Sequence, residues 1–186
     1  MKKILALVAL LIAFSGCSNE ETTPEQGTNP TYYVYSTNSF SLEVPNDWEV
    51  ISQFTSDYPT NTLVAFRNNI KEQDFLANVN IVGNTVGEIS NGDYAIEMLK
   101  KHSETLIDYT LLEQKEVEIF VGGQLTPAYR NYFEGRNSPD TNTLKFIQVY
   151  AVKDGIGYIA TASFLPNEDT FVTDTCVNMV ESLEIK

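Results

Sequence analysis

The chain has 186 residues, 42% hydrophobic and 20% charged, a composition that buries a core and is not that of a disordered protein. It carries 25 acidic against 12 basic side chains, a formal charge of −13. This balance opposes nucleic-acid binding, which neutralises phosphates with Lys and Arg, and opposes docking on anionic lipid head groups.

The first sixteen residues read as an export signal. Lys2-Lys3 is a short positive region, and Ile4–Phe14 is an uninterrupted apolar run of signal length, too short for a stable spanning anchor. Phe14-Ser15-Gly16-Cys17 follows. It resembles the lipobox of bacterial lipoproteins, with Phe14 where that family usually has Leu. The resemblance implies cleavage after Gly16 and transfer of a diacylglycerol to the Cys17 thiol. It also implies that Ser18 is not the Asp that retains such proteins in an inner membrane. Loss of Lys2 and Lys3 leaves 10 basic against 25 acidic residues, or −15. Residues 17–31 contain two prolines, three glutamates and no large apolar side chain. That composition cannot offset the entropy of ordering, so it reads as a tether holding the domain about 20 Å from its anchor.

Residues 32–186 form the expected domain. Tyr32–Val44 is strand-rich, with Phe40, Leu42 and Val44 at every second position, and Pro45-Asn46-Asp47 makes a turn into the strand Trp48–Ile51. Further strands are expected at Thr62–Arg67 and Ala77–Val82, where Val79 and Ile81 face one way and Asn78 and Asn80 the other; Asn68–Phe75 connects them. Tyr94–Ile107 reads as a helix with the stripe Ala95, Met98, Leu99, His102 and Leu106, capped by Asn91 or Asp93.

Strands return at Lys115–Val121, turned by Gly122-Gly123, then at Leu125–Phe133 and Leu144–Val152 around a polar loop, Gly135–Asn142. Asp154-Gly155 is a hairpin signal leading into Gly157–Leu165. A last helix is expected with Asn167 as cap, Glu168 and Asp169 in its first turn, and an apolar face of Phe171, Val172, Thr175, Cys176, Met179, Val180 and Leu183. Helices interleaved with hairpin-linked strands predict an α+β fold, an α-β-α sandwich around a mainly antiparallel sheet.

Phe40-Ser41-Leu42-Glu43-Val44-Pro45-Asn46-Asp47-Trp48-Glu49-Val50 resembles the opening of PsbP-like and Mog-like domains. Ala77–Ile81, the hairpin Gln148–Phe164 and the closing Met179-Val180-Glu181-Ser182-Leu183 are similar to the segments that follow in that superfamily. Its members include an oxygen-evolving-complex accessory protein, a small-GTPase regulator and many bacterial lipoproteins. The resemblance implies a binding module, usually without catalysis.

Motifs that carry chemistry are sparse. His102 is the single histidine, with no second His or paired Cys to complete a zinc site, and no Gly-x-Ser-x-Gly elbow accompanies it. It reads as a half-buried helix residue. Cys176, unpaired once Cys17 is acylated, reads as a buried inert thiol. No calcium loop or phosphate-cradling glycine loop occurs, and no cofactor is implied. Tyr32, Tyr33 and Tyr35 form either an exposed patch for a partner or glycan, or an edge strand with alternate rings buried; the second reading suits Tyr better. The expected function is a non-enzymatic accessory or protein-binding lipoprotein. It would be anchored through Cys17 on the extracytoplasmic face, with a protein partner in the cell envelope and no nucleic acid. The alternative is a carboxylate-dependent hydrolase or a small-ligand-binding protein of the cell surface.

Overall fold

The computed structural model describes residues 30–54, 58–69 and 75–186. The export signal, Cys17 and the tether up to residue 29 lie outside the described residues, as does most of the connection 68–75.

Ten strands and two helices follow in chain order. The first half holds β1 (Tyr32–Ser36), β2 (Phe40–Pro45), β3 (Glu49–Ile51), β4 (Thr62–Arg67), β5 (Asn78–Thr85) and α1 (Asn91–Thr105). The second holds β6 (Ile107–Val121), β7 (Gln124–Arg136), β8 (Leu144–Lys153), β9 (Ile156–Phe164), α2 (Thr170–Glu181) and β10 (Glu184–Ile185). The strands make one mixed sheet in the order β1-β2-β10-β6-β7-β8-β9-β5-β4-β3. Nearly all neighbours are antiparallel; β10 lies parallel to β6 and antiparallel to β2.

The sheet curls. Tyr35 of β1 and Phe66 of β4 stand far apart in the strand order, yet their rings meet edge to face at 5.1 Å. The curl encloses the main core, built from the inner residues of each strand: Phe40, Leu42 and Val44 of β2, Val79 and Ile81 of β5, Val149 of β8. Trp48 belongs to the same core. α2 lies inside this curl and contributes Val172, Cys176, Met179 and Val180. α1 packs on the outer face through Tyr94 and Ala95, which meet Tyr150 and Ile159. Period-two alternation along β8 thus sends Ile147 and Val149 toward one helix and Tyr150 toward the other.

Local chemistry explains most element ends. Asp154 and Gly155 both adopt left-handed backbone, φ 52° and 75°, the mirror-image two-residue turn whose twist suits a tight hairpin. Gly157 is required for a different reason: a Cβ there would stand 2.6 Å from the Tyr94 ring, so glycine lets α1 settle onto β9.

Both helix caps differ from expectation. Ser90 caps α1: its Oγ accepts from Asp93 N at 3.0 Å and donates to the Asp93 carboxylate at 2.7 Å. Asn91 is buried one residue inside the helix, its carboxamide donating to Pro127 O and accepting from Val152 N. α1 also stops at Thr105, and Ile107 opens β6. Asp169, not Asn167, caps α2, accepting from Phe171 N at 2.7 Å. Pro166-Asn167 is used in a turn closed by Glu168 N to Leu165 O, which leaves Glu168 before the helix. Phe171 stays 42% exposed, and Leu183 is buried but lies past the helix end. β7 extends to Arg136, shortening the expected polar loop, and β10 has no counterpart in the sequence reading.

Candidate functional site

The residues with chemical potential in the sequence do not converge. Cys176 is fully buried in the main core, and burial pushes its thiol up to about 12, so it is an inert thiol at neutral pH. Tyr33 and Tyr35 pack against the main core while Val34 between them is 63% exposed, the arrangement of an edge strand with alternate rings turned inward. Among the described residues, no group of three or more His, Cys, Asp and Glu side chains could share a metal ion.

His102 is the exception, because it lies beside a cavity. It occupies the last turn of α1, stacked on Phe133 at 4.9 Å between ring centres. Its Nε2 is 2.9 Å from Gln148 Oε1. Gln148 Nε2 donates to Thr161 Oγ1 at 2.9 Å, and Tyr150 O–H donates to Gln148 Oε1 at 2.5 Å. The amide oxygen is therefore the acceptor, and His102 carries its proton on Nε2. Burial lowers the His102 pKa, with Lys101 adding to the effect and the Gln148 bond opposing it. The ring is neutral and oriented.

The cavity is an open cleft of about 820 Å³ on the outer face of the sheet, beyond the area that α1 covers. Strand register builds its floor in two transverse rows. Asn80 of β5 stands opposite Thr161 of β9, which stands opposite Gln148 of β8. One step along, Asn78 faces Ser163, and Ser163 faces Phe146. The first row continues into Asn131, which is buried, and then Gln114, which is exposed; a 3.1 Å hydrogen bond joins them. Asn131 Nδ2 is a buried donor without a partner among the described residues. The second row continues into Phe133, stacked on Phe146 at 5.2 Å.

The walls come from other elements. Met98, Lys101, His102 and Thr105 of α1 form one side, and Glu49 and Ile51 of β3 the other. Glu49 is the one carboxylate among the described lining residues, and Arg67 holds it at 2.5 Å. Lys101 is the remaining cationic side chain there. The cleft therefore presents mainly carboxamides, hydroxyls and aromatic rings.

The alternation Asn78-Val79-Asn80-Ile81 placed two of these carboxamides on the face away from the core. The matching signal on β8 and β9 was the isolated polar residues Gln148, Thr161 and Ser163 in otherwise apolar runs. The Asp154-Gly155 hairpin announces β8 beside β9, but the convergence also needs β9 to pair with β5, which no local pattern announces.

The sheet order, the inner helix and the outer helix define a PsbP/Mog-like fold. Among solved structures, the chain is similar to cyanobacterial PsbP (CyanoP) from Synechocystis sp. PCC 6803, with 12% identity over 89% of this chain and 98% of that one, TM-score 0.57. It is similar to the Mog1 E65A mutant, 12% identical over 85% and 96% of the two chains, TM-score 0.55. It is also similar to LpqN, involved in cell envelope biogenesis of Mycobacterium tuberculosis, 14% identical over 87% of each chain, TM-score 0.53. At these identities the likeness is one of fold. No protein-family model matches the sequence, and no curated protein does.

Proposed function

We propose that this chain is a lipid-anchored extracytoplasmic protein whose PsbP/Mog-like domain acts as a non-enzymatic binding module in the cell envelope, its outer-face cleft being the binding site. The domain is read as an α-β-α sandwich in which the outer helix forms one cleft wall. The observation that carries the reading is the cleft itself. Its volume falls in the range of about 300–1,000 Å³ usual for ligand sites. Its side chains are suited to hold hydrogen-bonding groups, and Gln148 and His102 are already oriented by their own partners.

The anchoring part rests on Lys2-Lys3, the apolar run Ile4–Phe14 and Cys17. LpqN, with its stated part in cell envelope biogenesis, lends the envelope setting support by fold alone. Within the alternative reading, small-ligand binding is favoured over hydrolysis. A carboxylate-dependent hydrolase uses two facing carboxylates, and Glu49, the one carboxylate among the described lining residues, is occupied by Arg67.

One experiment tests both parts. A photo-crosslinking residue is placed at Tyr58, on the cleft rim, or at Val34, on β1, in the whole chain expressed in bacteria. The chain should fractionate with membranes and be released or stalled in processing by Cys17→Ala. The Tyr58 position should trap a discrete envelope component that the Val34 position does not. Unchanged membrane association of Cys17→Ala would overturn the anchor, and equal trapping at both positions would overturn the cleft.

A further inference from the structure

The geometry points to a neutral carbohydrate, bound as an extended oligosaccharide, as the ligand class of the outer-face cleft. The inference rests on the binding-module reading above and names its substrate. Three observations carry it.

The first is charge. An anionic ligand needs Arg or Lys, and a cationic one needs Asp or Glu. Arg67 and Glu49 neutralise each other in the cleft, which leaves Lys101 on the helix wall. The chain as a whole, at −13, repels anions. That single cation stands on the wall, under the field of an acidic chain, while the floor itself is uncharged, which suits a neutral ligand.

The second is the set of uncommitted polar groups. The Asn80 carboxamide has no hydrogen-bond partner among the described residues, and the Asn78 carboxamide uses only its Nδ2, on Leu76 O, leaving Oδ1 open. Ser163 is 7% exposed, lines the cleft, and its hydroxyl likewise has no partner among the described residues. Thr161 accepts from Gln148 and keeps its own proton to donate. An acyl chain seated here would strand these groups without partners. A carboxamide both donates and accepts, which matches the dual character of a sugar hydroxyl.

The third is spacing and shape. Cross-strand register sets Asn80, Thr161 and Gln148 roughly 4.8 Å apart across the sheet, and Asn78 and Asn80 roughly 6.7 Å apart along β5. This lattice of hydrogen-bonding groups is comparable in pitch to successive hexose units. Beside it Phe146, half-buried, is backed by Phe133 and His102 in one stack, so its ring plane is fixed and can receive the C–H face of a pyranose.

The test follows the carboxamides. The ¹⁵N-labelled full chain, held in a zwitterionic detergent without a sugar head group, is titrated separately with maltohexaose, N-acetylchitohexaose and an uncharged Ala–Ser decapeptide. At least one hexasaccharide should produce saturable shifts of the side-chain NH₂ signals of Asn78, Asn80 and Gln148. Asn80→Ala should weaken that binding about three- to tenfold, the loss of one hydrogen bond. Ser163→Ala serves the same purpose if Asn80→Ala loses its native spectrum. Sugar binding as tight in both folded variants would overturn the site. Shifts caused by the decapeptide and by neither sugar would overturn the glycan and leave the binding module standing. If no probe moves these signals while the Tyr58 crosslinker still traps a component, the glycan again falls alone; failure of both removes the binding reading as well.

Discussion

His102 shows how one residue takes its meaning from its surroundings. Its helical spacing predicted a side chain beside an apolar stripe, and it does stack on Phe133. What it adds is a neutral Nε2–H held against Gln148, at the junction of α1 and the cleft floor. Burial lowers its pKa below the ordinary 6.5, so the folded chain binds this proton less readily than the unfolded chain. The stabilisation is then present above about pH 6.5 and lost as pH falls through that value toward the folded pKa. Carboxylates titrate lower, near 4. Urea midpoints should therefore drop between about pH 7.5 and pH 5.5, and His102→Gln, which keeps a donor for Gln148, should flatten that drop. An identical slope in the variant would mean that His102 does not sense this window.

At the scale of an element, α1 is the piece on which the cleft depends. Its start is fixed by Ser90 and Asp93 acting on each other, its seat by Gly157 beneath Tyr94, and its far turn carries Met98, Lys101 and His102 into the wall. Ser90→Ala removes the acceptor for Asp93 N and should cost about 1 kcal/mol of unfolding free energy, read from chemical denaturation. Ser90→Thr, which keeps both the accepting oxygen and the hydroxyl proton that the Asp93 carboxylate takes, should recover most of it. An Asn91 substitution acts differently, since that side chain ties α1 to β7 and β8 and is buried. By residue type Asn91 or Asp93 would cap α1; the backbone instead uses the Ser one position before Asn91 and turns Asn91 inward.

At the scale of the molecule, the curl closes through a two-residue strand. β10 sits between β2 and β6, so the β1–β2 pair joins the rest of the sheet through Glu184 and Ile185. Ser182 Oγ accepts from Glu43 N, and Lys186 reaches Ser36 and Thr37, which secures the same seam. Ile185 is 1% exposed within the main core. Ile185→Ala should cost about 2–5 kcal/mol in denaturant unfolding, the usual loss for a buried large-to-small change. Val34→Ala, on the exposed edge, should change little. A loss below about 1 kcal/mol for Ile185→Ala would show that the β1–β2 pair holds without this seam.

The sequence by itself determined the elements that depend on neighbours in the chain. The alternation of Phe40, Leu42 and Val44, the Asp154-Gly155 turn and the apolar face around Cys176 and Met179 each follow from backbone period or turn geometry. It also determined the inert setting of Cys176 and the edge-strand arrangement of Tyr33 and Tyr35. Only the tertiary structure decided the parallel insertion of β10, the choice of Ser90 and Asp169 as caps, and the cleft. A strand of two residues has no period to read, and several polar residues near a helix start compete until packing selects one. The cleft needs Asn80, Thr161 and Gln148 side by side, although they lie on strands separated by up to 81 positions in sequence. Long-range strand register, set by burial of the opposite face, brings them together.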